Sequence, residues 1–246
     1  MADAPLYKQL RWYTMELHDV DLHGIHKLHV ICKSNGEDVD KMLSMLRRKL
    51  DGMPVKLVGI DVEYTHYVKP QRAAVLQLCV EKECLVYHIS AAKDSIAYEF
   101  IDSFHPAPYK FLMNGEYTFV GFAIEGDKSK LKLSGLKINS DNYIYIQVEW
   151  RDPYNKKKFD SLADIAGRMI DIHYHDMKKK INRKEDHTLW GFYTLPEKLI
   201  KYEAIDAFAT YESWRIIYDV IMGLDRAKRD KEPKHKKNKA VIQYNN

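Results

Sequence analysis

The chain has 246 residues, of which 46% are hydrophobic and 12% aromatic, so it carries enough apolar side chains to bury one large core. This composition excludes a small disulfide-stapled scaffold and a wholly disordered chain. The net charge is only +4, and charged residues make up 30% of the sequence, as in an ordinary water-exposed surface.

The sequence contains no run of 18 apolar residues, and its first residues lack a basic-then-apolar leader with a small-residue cleavage site. We therefore expect a protein that does not span a membrane, is not secreted, and resides in the nucleus and/or the cytoplasm. The sparse cysteines Cys32, Cys79 and Cys84 and the lack of any Asn-X-Ser/Thr sequon favour a reducing compartment. We expect all three thiols to be free.

Positive charge is concentrated near the end of the chain. Residues 226–239 carry eight Lys or Arg against two acidic residues, a net charge of +6, which leaves the rest of the chain at −2. Such a tail either contacts a polyanion or is a solvated tail or import signal. We predict three parts: an extension over 1–25 that packs on or joins the domain, a domain over 26–224, and a flexible basic tail over 225–246.

The hydrophobic pattern predicts strands first and then strands alternating with helices. The expected strands are Arg11 to Leu17, His26 to Cys32, Lys56 to Tyr64, Ala73 to Val80, Cys84 to Ile89, Tyr117 to Ile124 and Tyr143 to Val148. The expected helices are Glu37 to Leu50, Ser95 to Phe104, Gly126 to Leu133, Ser161 to Ile172 and Pro196 to Leu224. This order indicates an α/β domain with a mixed sheet flanked by helices.

Three short patterns place carboxylates where they could act together. Asp61 and Glu63 are two apart on an expected strand, so their side chains share one face. Asp127 follows a strand and a glycine turn at the start of a helix, where it could equally be an N-terminal cap. Tyr202 and Asp206 are four apart and share one face of the last helix. Each pattern is common in proteins without any catalytic role.

The three patterns in this order resemble the DEDDy class of 3′-to-5′ exonucleases, and more narrowly the Werner syndrome-like exonuclease domain in its divergent plant forms. The family motifs read roughly φDφEW, VGφGφxxD and YAAxDAxA. They correspond here to GIDVEY over 59–64, VGFAIEGD over 120–127 and YEAIDAFA over 202–209. A fourth family motif, W-S-x-R-P-L-x-x-x-Q-φ-x-Y, aligns without a gap with Trp190, Leu195, Ile200 and Tyr202. The resemblance covers about residues 25–224.

Several positions depart from the family pattern. Tyr64 replaces Trp, and Ala123 replaces a frequent Gly. The changes in the fourth motif are Gly191, Tyr193, Thr194 and Leu199. None of these departures falls on a presumed catalytic position, so they bear on substrate recognition more than on metal chemistry. The presumed catalytic positions are Asp61, Glu63, Asp127, Tyr202 and Asp206.

The resemblance implies an RNase H-like fold with a mixed sheet of five to six strands, and a two-metal site that removes nucleotides from the 3′ end of DNA or RNA. Two divalent cations, Mg²⁺ or Mn²⁺, would be held by carboxylates, as hard cations require. By family roles Asp61 would bridge both ions, Glu63 and Asp206 would complete the first site, and Asp127 would hold the second, largely through water. Tyr202 would orient the attacking water by hydrogen bonding.

Contacts to nucleic acid are expected from residues near these motifs. The candidates are Tyr64, Thr65, Lys178, Lys179, Arg183 and Trp190. Trp190 is also a candidate core residue, and His173 and His175 could ligate a metal or be solvated loop histidines. The alternative function is a catalytically weak exonuclease-like module that binds nucleic acid or a protein partner.

Overall fold

The computed structural model describes residues 13–22, 26–65, 69–89, 106–123, 125–151, 157–159, 161–177, 179, 188–191 and 194–231, with the side chains of 36, 37 and 224–231 left out of the description. The strands in these ranges are β1 (Thr14–Leu22), β2 (His26–Lys33), β3 (Leu57–Tyr64), β4 (Ala73–Val80), β5 (Glu83–His88), β6 (Thr118–Gly121) and β7 (Tyr143–Tyr145). The α-helices are α1 (Gly36–Asp51), α2 (Pro106–Leu112), α3 (Glu125–Leu133), α4 (Ile146–Glu149), α5 (Leu162–Met169) and α6 (Glu197–Lys231). Short 3₁₀ turns occupy Ser140–Asn142, Ile172–Asp176 and Leu189–Gly191.

The strands form one mixed sheet in the order β1-β2-β5-β4-β3-β6-β7. The strands β3, β4 and β5 form an antiparallel meander, and β6 and β7 continue the sheet parallel to β3. On the other side, β2 lies parallel to β5 and antiparallel to β1. The α/β prediction is confirmed, but the sheet has seven strands rather than five to six, because the β1–β2 hairpin extends it beyond β5.

The two faces of the sheet are covered by different helices. Helix α1 buries Val39, Leu43, Leu46 and Leu50 against one face, as their helical spacing predicts. Helix α6 covers the other face, where its residues pack with α5 and with the inner sides of β1 and β2. Each strand can therefore contribute side chains to two separate environments, one beneath α1 and one beneath α6.

Some predicted elements differ from the structure. The strand expected over Tyr143 to Val148 ends at Tyr145, and the chain turns into α4, which buries Ile146 fully against Ile165 and Trp214. That apolar cluster decides the conformation where the local pattern is ambiguous. Helix α6 continues to Lys231, beyond the predicted end at Leu224. The helix expected over Ser95 to Phe104 and the tail beyond residue 231 lie outside the described residues.

The expectation of three free thiols is wrong for two of them. Cys79 and Cys84 face each other in the β4–β5 ladder and form a disulfide, whereas Cys32 is a buried free thiol. A two-residue connection, Glu81 and Lys82, brings the two strands back together at this point, which makes the pairing possible. In the part of the chain that is described, no helix is both long enough and apolar enough to cross a membrane.

Candidate functional site

The site is built on the alternation of side chains along β3. Val58, Ile60 and Val62 point to the α1 side of the sheet and are buried in its core. The intervening residues Gly59, Asp61 and Glu63 therefore share the opposite face, toward α6. The two carboxylates lie at the end of the strand and are partly buried.

Gly59 lets α6 approach this face closely. A Cβ atom placed on Gly59 would lie 2.3 Å from the Ala207 carbonyl oxygen and 2.7 Å from the Tyr211 Cβ. Real Cβ atoms do not approach other atoms so closely, so only glycine permits this crossing of helix and strand. The contact places α6 directly over β3. On the helix, Ala207 and Tyr211 lie one to two turns after the residues near Asp61 and Glu63.

Helix α6 contributes three polar side chains to this region. Asp206 is 1% exposed and Glu203 is fully buried, while Tyr202 is largely buried. Ala204 and Ala207 around them are fully buried, and their small size allows the helix to lie against the sheet. The chain thus buries two acidic groups in its interior, which is costly unless they are paired, hydrogen-bonded or bound to a cation.

A group of three carboxylates converges between the strand and the helix. Ligand oxygens of Asp61, Glu63 and Glu203 lie within 4.8 Å of one another. The sequence motifs did not place Glu203 in the site. A signal for it existed, since Glu203 is an acidic residue at a position where the resembled motif has alanine. Three carboxylates this close favour binding a cation, which removes their mutual repulsion.

The phenol of Tyr202 lies among these acids. Burial raises the pKa of Tyr202, and neighbouring carboxylates raise it further. Those carboxylates belong to Asp206, Glu203, Glu63 and Asp61. The hydroxyl therefore stays protonated near neutral pH and can act as a hydrogen-bond donor, but not as a base.

Asp127 lies in the first turn of α3 and does not belong to the three-carboxylate group. Its Oδ1 is 3.0 Å from the Lys130 Nζ, and the same ammonium group lies 3.4 Å from the centroid of the Tyr64 ring. Burial raises the pKa of Asp127, and the hydrogen bond and charge of Lys130 lower it. Asp127 is thus held by an ion pair that sequence reasoning did not anticipate.

Tyr143 connects Asp127 electrostatically with the strand carboxylates. Burial raises the pKa of Tyr143, and the negative charges of Asp61 and Asp127 raise it further. The charge of Glu125 makes a smaller contribution in the same direction. Both aspartates therefore act electrostatically on the same phenol. Asp61 thus lies close to Glu203, and its charge acts on the phenols of both Tyr202 and Tyr143.

Ala123 occupies a backbone conformation that favours glycine. Its φ is +57°, in the left-handed region, and its amide N donates to Gln147 Oε1 at 2.9 Å. The resembled motif often has glycine at this position, so the structure supplies the physical reason. The turn redirects the chain from β6 into α3 and thereby places Asp127.

The predicted substrate contacts are scattered. Thr65 is bonded to Arg72, donating from its amide N to the Arg72 carbonyl at 3.0 Å. Lys179 is exposed and its Nζ lies 2.6 Å from Asp176 Oδ1. Trp190 is 1% exposed, so in this conformation its indole is a core side chain and not a stacking surface. Lys178 and Arg183 lie outside the described residues.

The two loop histidines do not join a donor cluster among the described residues. The His173 Nε2 is 3.9 Å from Asp171 Oδ1 and the side chain is 67% exposed. The ring of His175 lies against Gly167, where an added Cβ would be 2.6 Å from it. The observations favour the solvated-loop interpretation of His173 and a packing role for His175.

The donor set at the β3–α6 junction fits a hard divalent cation. Each ligand candidate is a carboxylate, one of the three is buried and two are partly buried, and no thiolate or imidazole belongs to the group among the described residues. Mg²⁺ and Mn²⁺ prefer oxygen ligands of this type. The residues therefore suit the ions that the sequence motifs imply.

The fold is similar to those of several solved structures. The Nibbler EXO domain of Aedes aegypti matches with a TM-score of 0.54 and 16% identity, over 75% of this chain and 86% of that one. The catalytic core of RRP6 from Trypanosoma brucei matches with a TM-score of 0.56 and 13% identity, over 90% of this chain and 55% of that one. NrnC from Brucella melitensis matches with a TM-score of 0.53 and 17% identity, over 73% and 80%.

These likenesses establish an RNase H-like fold, as the sequence motifs predicted. This chain spans about half of the RRP6 core that it matches, and most of the other two. No family model matches the sequence, and no curated protein matches it either.

Proposed function

We propose that this chain is a metal-dependent 3′-to-5′ exonuclease of the DEDDy type, acting on DNA or RNA ends. The observation that carries the proposal is the convergence of carboxylates from β3 and α6 on one point of an RNase H-like sheet. The solved structures of similar fold include an EXO domain and a catalytic core, which supports the same chemistry. The narrower placement with Werner syndrome-like domains rests on the sequence motifs alone.

Asp61 and Glu63 from the strand and Asp206 from the helix would hold divalent cations, and Asp127 would contribute from α3. When bound, such ions lower the pKa of a coordinated water and stabilise the charge of an in-line displacement at phosphorus. Tyr202 keeps its proton and would donate a hydrogen bond that orients the attacking water. Lys130 must release Asp127, or share it, when a cation binds there.

Glu203 would add a carboxylate to the usual set. Its oxygens lie close to those of both Asp61 and Glu63, and its side chain is fully buried. Such a group can ligate a cation directly or tighten its binding by adding negative charge. We therefore place Glu203 in the metal-binding machinery.

The direct test is a gel time course with 5′-labelled single-stranded DNA, recessed duplex DNA and RNA, in Mg²⁺, Mn²⁺ and chelator. Wild-type protein should shorten strands from the 3′ end only with metal. Asp61→Asn and Asp206→Asn should lower the rate at least about a thousandfold. Asp219→Asn, an exposed carboxylate on the same helix, is the matched control and should leave the rate unchanged.

The test also separates the alternative function. Strand binding in chelator by a folded protein that shortens no strand with either metal would support the weak binding module. The Lys130–Asp127 ion pair would then be the first suspect, because it neutralises one of the required acids. Equal rates for wild type and Asp61→Asn would refute the proposed site.

A further inference from the structure

A second group of donor atoms lies on the N-terminal hairpin, away from the carboxylates of β3 and α6. The Glu16 Oε1 is 2.7 Å from the His29 Nε2 and 3.4 Å from the His18 Nε2. One carboxylate oxygen therefore faces the Nε2 atoms of two imidazoles. The three donor atoms lie within 4.8 Å of one another.

The strand register explains why these residues meet. In the ladder between β1 and β2, Leu17 pairs with Val30 and Val20 pairs with Leu28. Two residues of β1, His18 and Asp19, therefore lie opposite the single residue His29 of β2. This β-bulge, with Asp19 at a φ of +51°, keeps Val20 buried while His18 stays outside. His18 and His29 lie side by side, with ring centroids 4.7 Å apart and an interplanar angle of 7°.

A carboxylate from a third strand orients His29. The Glu83 Oε2 lies 2.6 Å from the His29 Nδ1, and these two residues are register partners in the β2–β5 ladder. A carboxylate on the far nitrogen of a histidine is the usual support of a metal-ligating imidazole, since it sets the tautomer and leaves Nε2 to the metal. Glu83 itself is 3.7 Å from the Lys49 Nζ, which limits its movement.

We propose that Glu16, His18 and His29 form a binding site for one borderline transition-metal ion of the Zn²⁺ class. Two imidazole nitrogens and one carboxylate oxygen are the donor set that such ions prefer, whereas Mg²⁺ prefers oxygen alone. The side chains of His18 and Glu16 are 70% and 46% exposed, so solvent can complete the coordination. The site is independent of the exonuclease proposal, because it lies on the α1 side of the sheet.

A metal-free account of the same contacts makes a different prediction. Burial lowers the pKa of His29, but the hydrogen bonds and negative charges of Glu16 and Glu83 together raise it by more, so a protonated His29 could simply bridge two carboxylates. In that account His18 has no essential role, since its Nε2 contact with Glu16 is longer and its side chain is largely exposed. His18 therefore distinguishes a metal site from an ion pair.

The experiment measures Zn²⁺ binding by isothermal titration calorimetry to tag-free, metal-stripped protein in a large excess of Mg²⁺, which competes with Zn²⁺ for oxygen-only sites. Bound Co²⁺ provides an optical signal for nitrogen ligation. We expect one Zn²⁺ per chain, and an affinity at least about tenfold weaker in His18→Ala and in His29→Ala. Glu83→Gln should weaken binding by about tenfold through loss of the orienting contact.

The controls locate the site. His173→Ala removes an equally exposed histidine beside a carboxylate and should leave the isotherm unchanged. Asp61→Asn should also leave it unchanged, since the carboxylates of β3 and α6 take no part. Because His18 is exposed, its replacement should keep the fold, which circular dichroism checks.

Two results would overturn the proposal. One is a Zn²⁺ isotherm for His18→Ala that matches the wild type, which would leave the ion pair as the role of His29. The other is Zn²⁺ binding that disappears in Asp61→Asn, which would assign the ion to the β3–α6 carboxylates. Neither result would bear on strand shortening in Mg²⁺, so the two proposals fail separately.

Discussion

The two clusters that we propose as metal sites lie on opposite faces of one sheet, and they differ in burial and in donor type. The cluster of Asp61, Glu63 and Glu203 consists of carboxylates beneath α6. The hairpin cluster combines one carboxylate with two histidines on the α1 side, and His18 and Glu16 in it are exposed. A helix lying close over a strand creates a partly enclosed group of oxygen donors, whereas the hairpin, which no described helix covers at this point, presents imidazole nitrogens with exposed side chains.

The contrast also concerns what holds each cluster together. The β3–α6 cluster depends on a long-range contact, since α6 lies about 140 residues after β3 in the chain. The hairpin cluster takes its three donors from strands that are adjacent in sequence. We therefore expect disruption of the contact between α6 and β3 to destroy the first cluster and to spare the second.

The largest expected effect comes from Gly59→Val. Added side-chain atoms at this position collide with the Ala207 carbonyl and Tyr211, so we expect a loss of about 2–3 kcal/mol in the free energy of unfolding and loss of strand shortening. Zn²⁺ binding to the hairpin should survive in the folded fraction. Gly223→Ala on the same α6 has open space around it and is the control. Urea unfolding that shows equal stability for Gly59→Val and wild type would contradict the close packing of α6 on β3.

Tyr202→Phe tests the hydrogen-bonding role within the buried cluster. Removing the hydroxyl should lower kcat about a hundredfold, less than Asp61→Asn, because the acids remain while the water loses its orienting donor. The matched control is Tyr218→Phe, farther along α6, with an unchanged kcat. Rates at saturating metal measure the difference, and a loss as large as that of Asp61→Asn would mean that Tyr202 does more than position water.

Glu203→Gln should separate metal binding from fold stability. Without metal, the change relieves repulsion among three carboxylates and should raise the free energy of unfolding by about 1 kcal/mol. With metal, it should raise the Mg²⁺ concentration for half-maximal rate, because a ligand charge is lost. Glu197→Gln, exposed at the start of α6, should change neither quantity. If Glu203→Gln left the Mg²⁺ requirement as it is, Glu203 would not be part of the metal-binding machinery.

The smallest effect is expected for His18→Ala on the exposed hairpin. Without transition metal, the free energy of unfolding should stay within about 0.5 kcal/mol of the wild type, since surface changes of this kind cost little. Zn²⁺ at one hundred times its dissociation constant should stabilise the wild type by about 2.7 kcal/mol and the variant much less. Thermal or urea unfolding with and without Zn²⁺ checks both statements, and equal stabilisation of the two proteins would remove His18 from the site.

Much of the buried cluster can be read from the local periodicities of the chain. Period-two alternation places Asp61 and Glu63 on one face, and the four-residue spacing places Tyr202 beside Asp206. Glu203 could not be placed in the same way, since the residue after Tyr202 points about a quarter-turn away on the helix. Whether that direction meets the strand depends on how α6 is rotated over β3, which the contact between Gly59 and Ala207 decides.

The sequence by itself determined the alternation of strands and helices, the apolar face of α1, and the order of the acidic motifs, because these follow from short-range periodicity and turn chemistry. Only the tertiary structure decided that the Lys130 ammonium lies over the Tyr64 ring, that Trp190 is buried, and that Cys79 bonds to Cys84. It also decided that a β-bulge brings His18 beside His29. Such contacts join residues through strand register and helix crossing, which depend on packing across the whole sheet and leave no periodic trace in the chain.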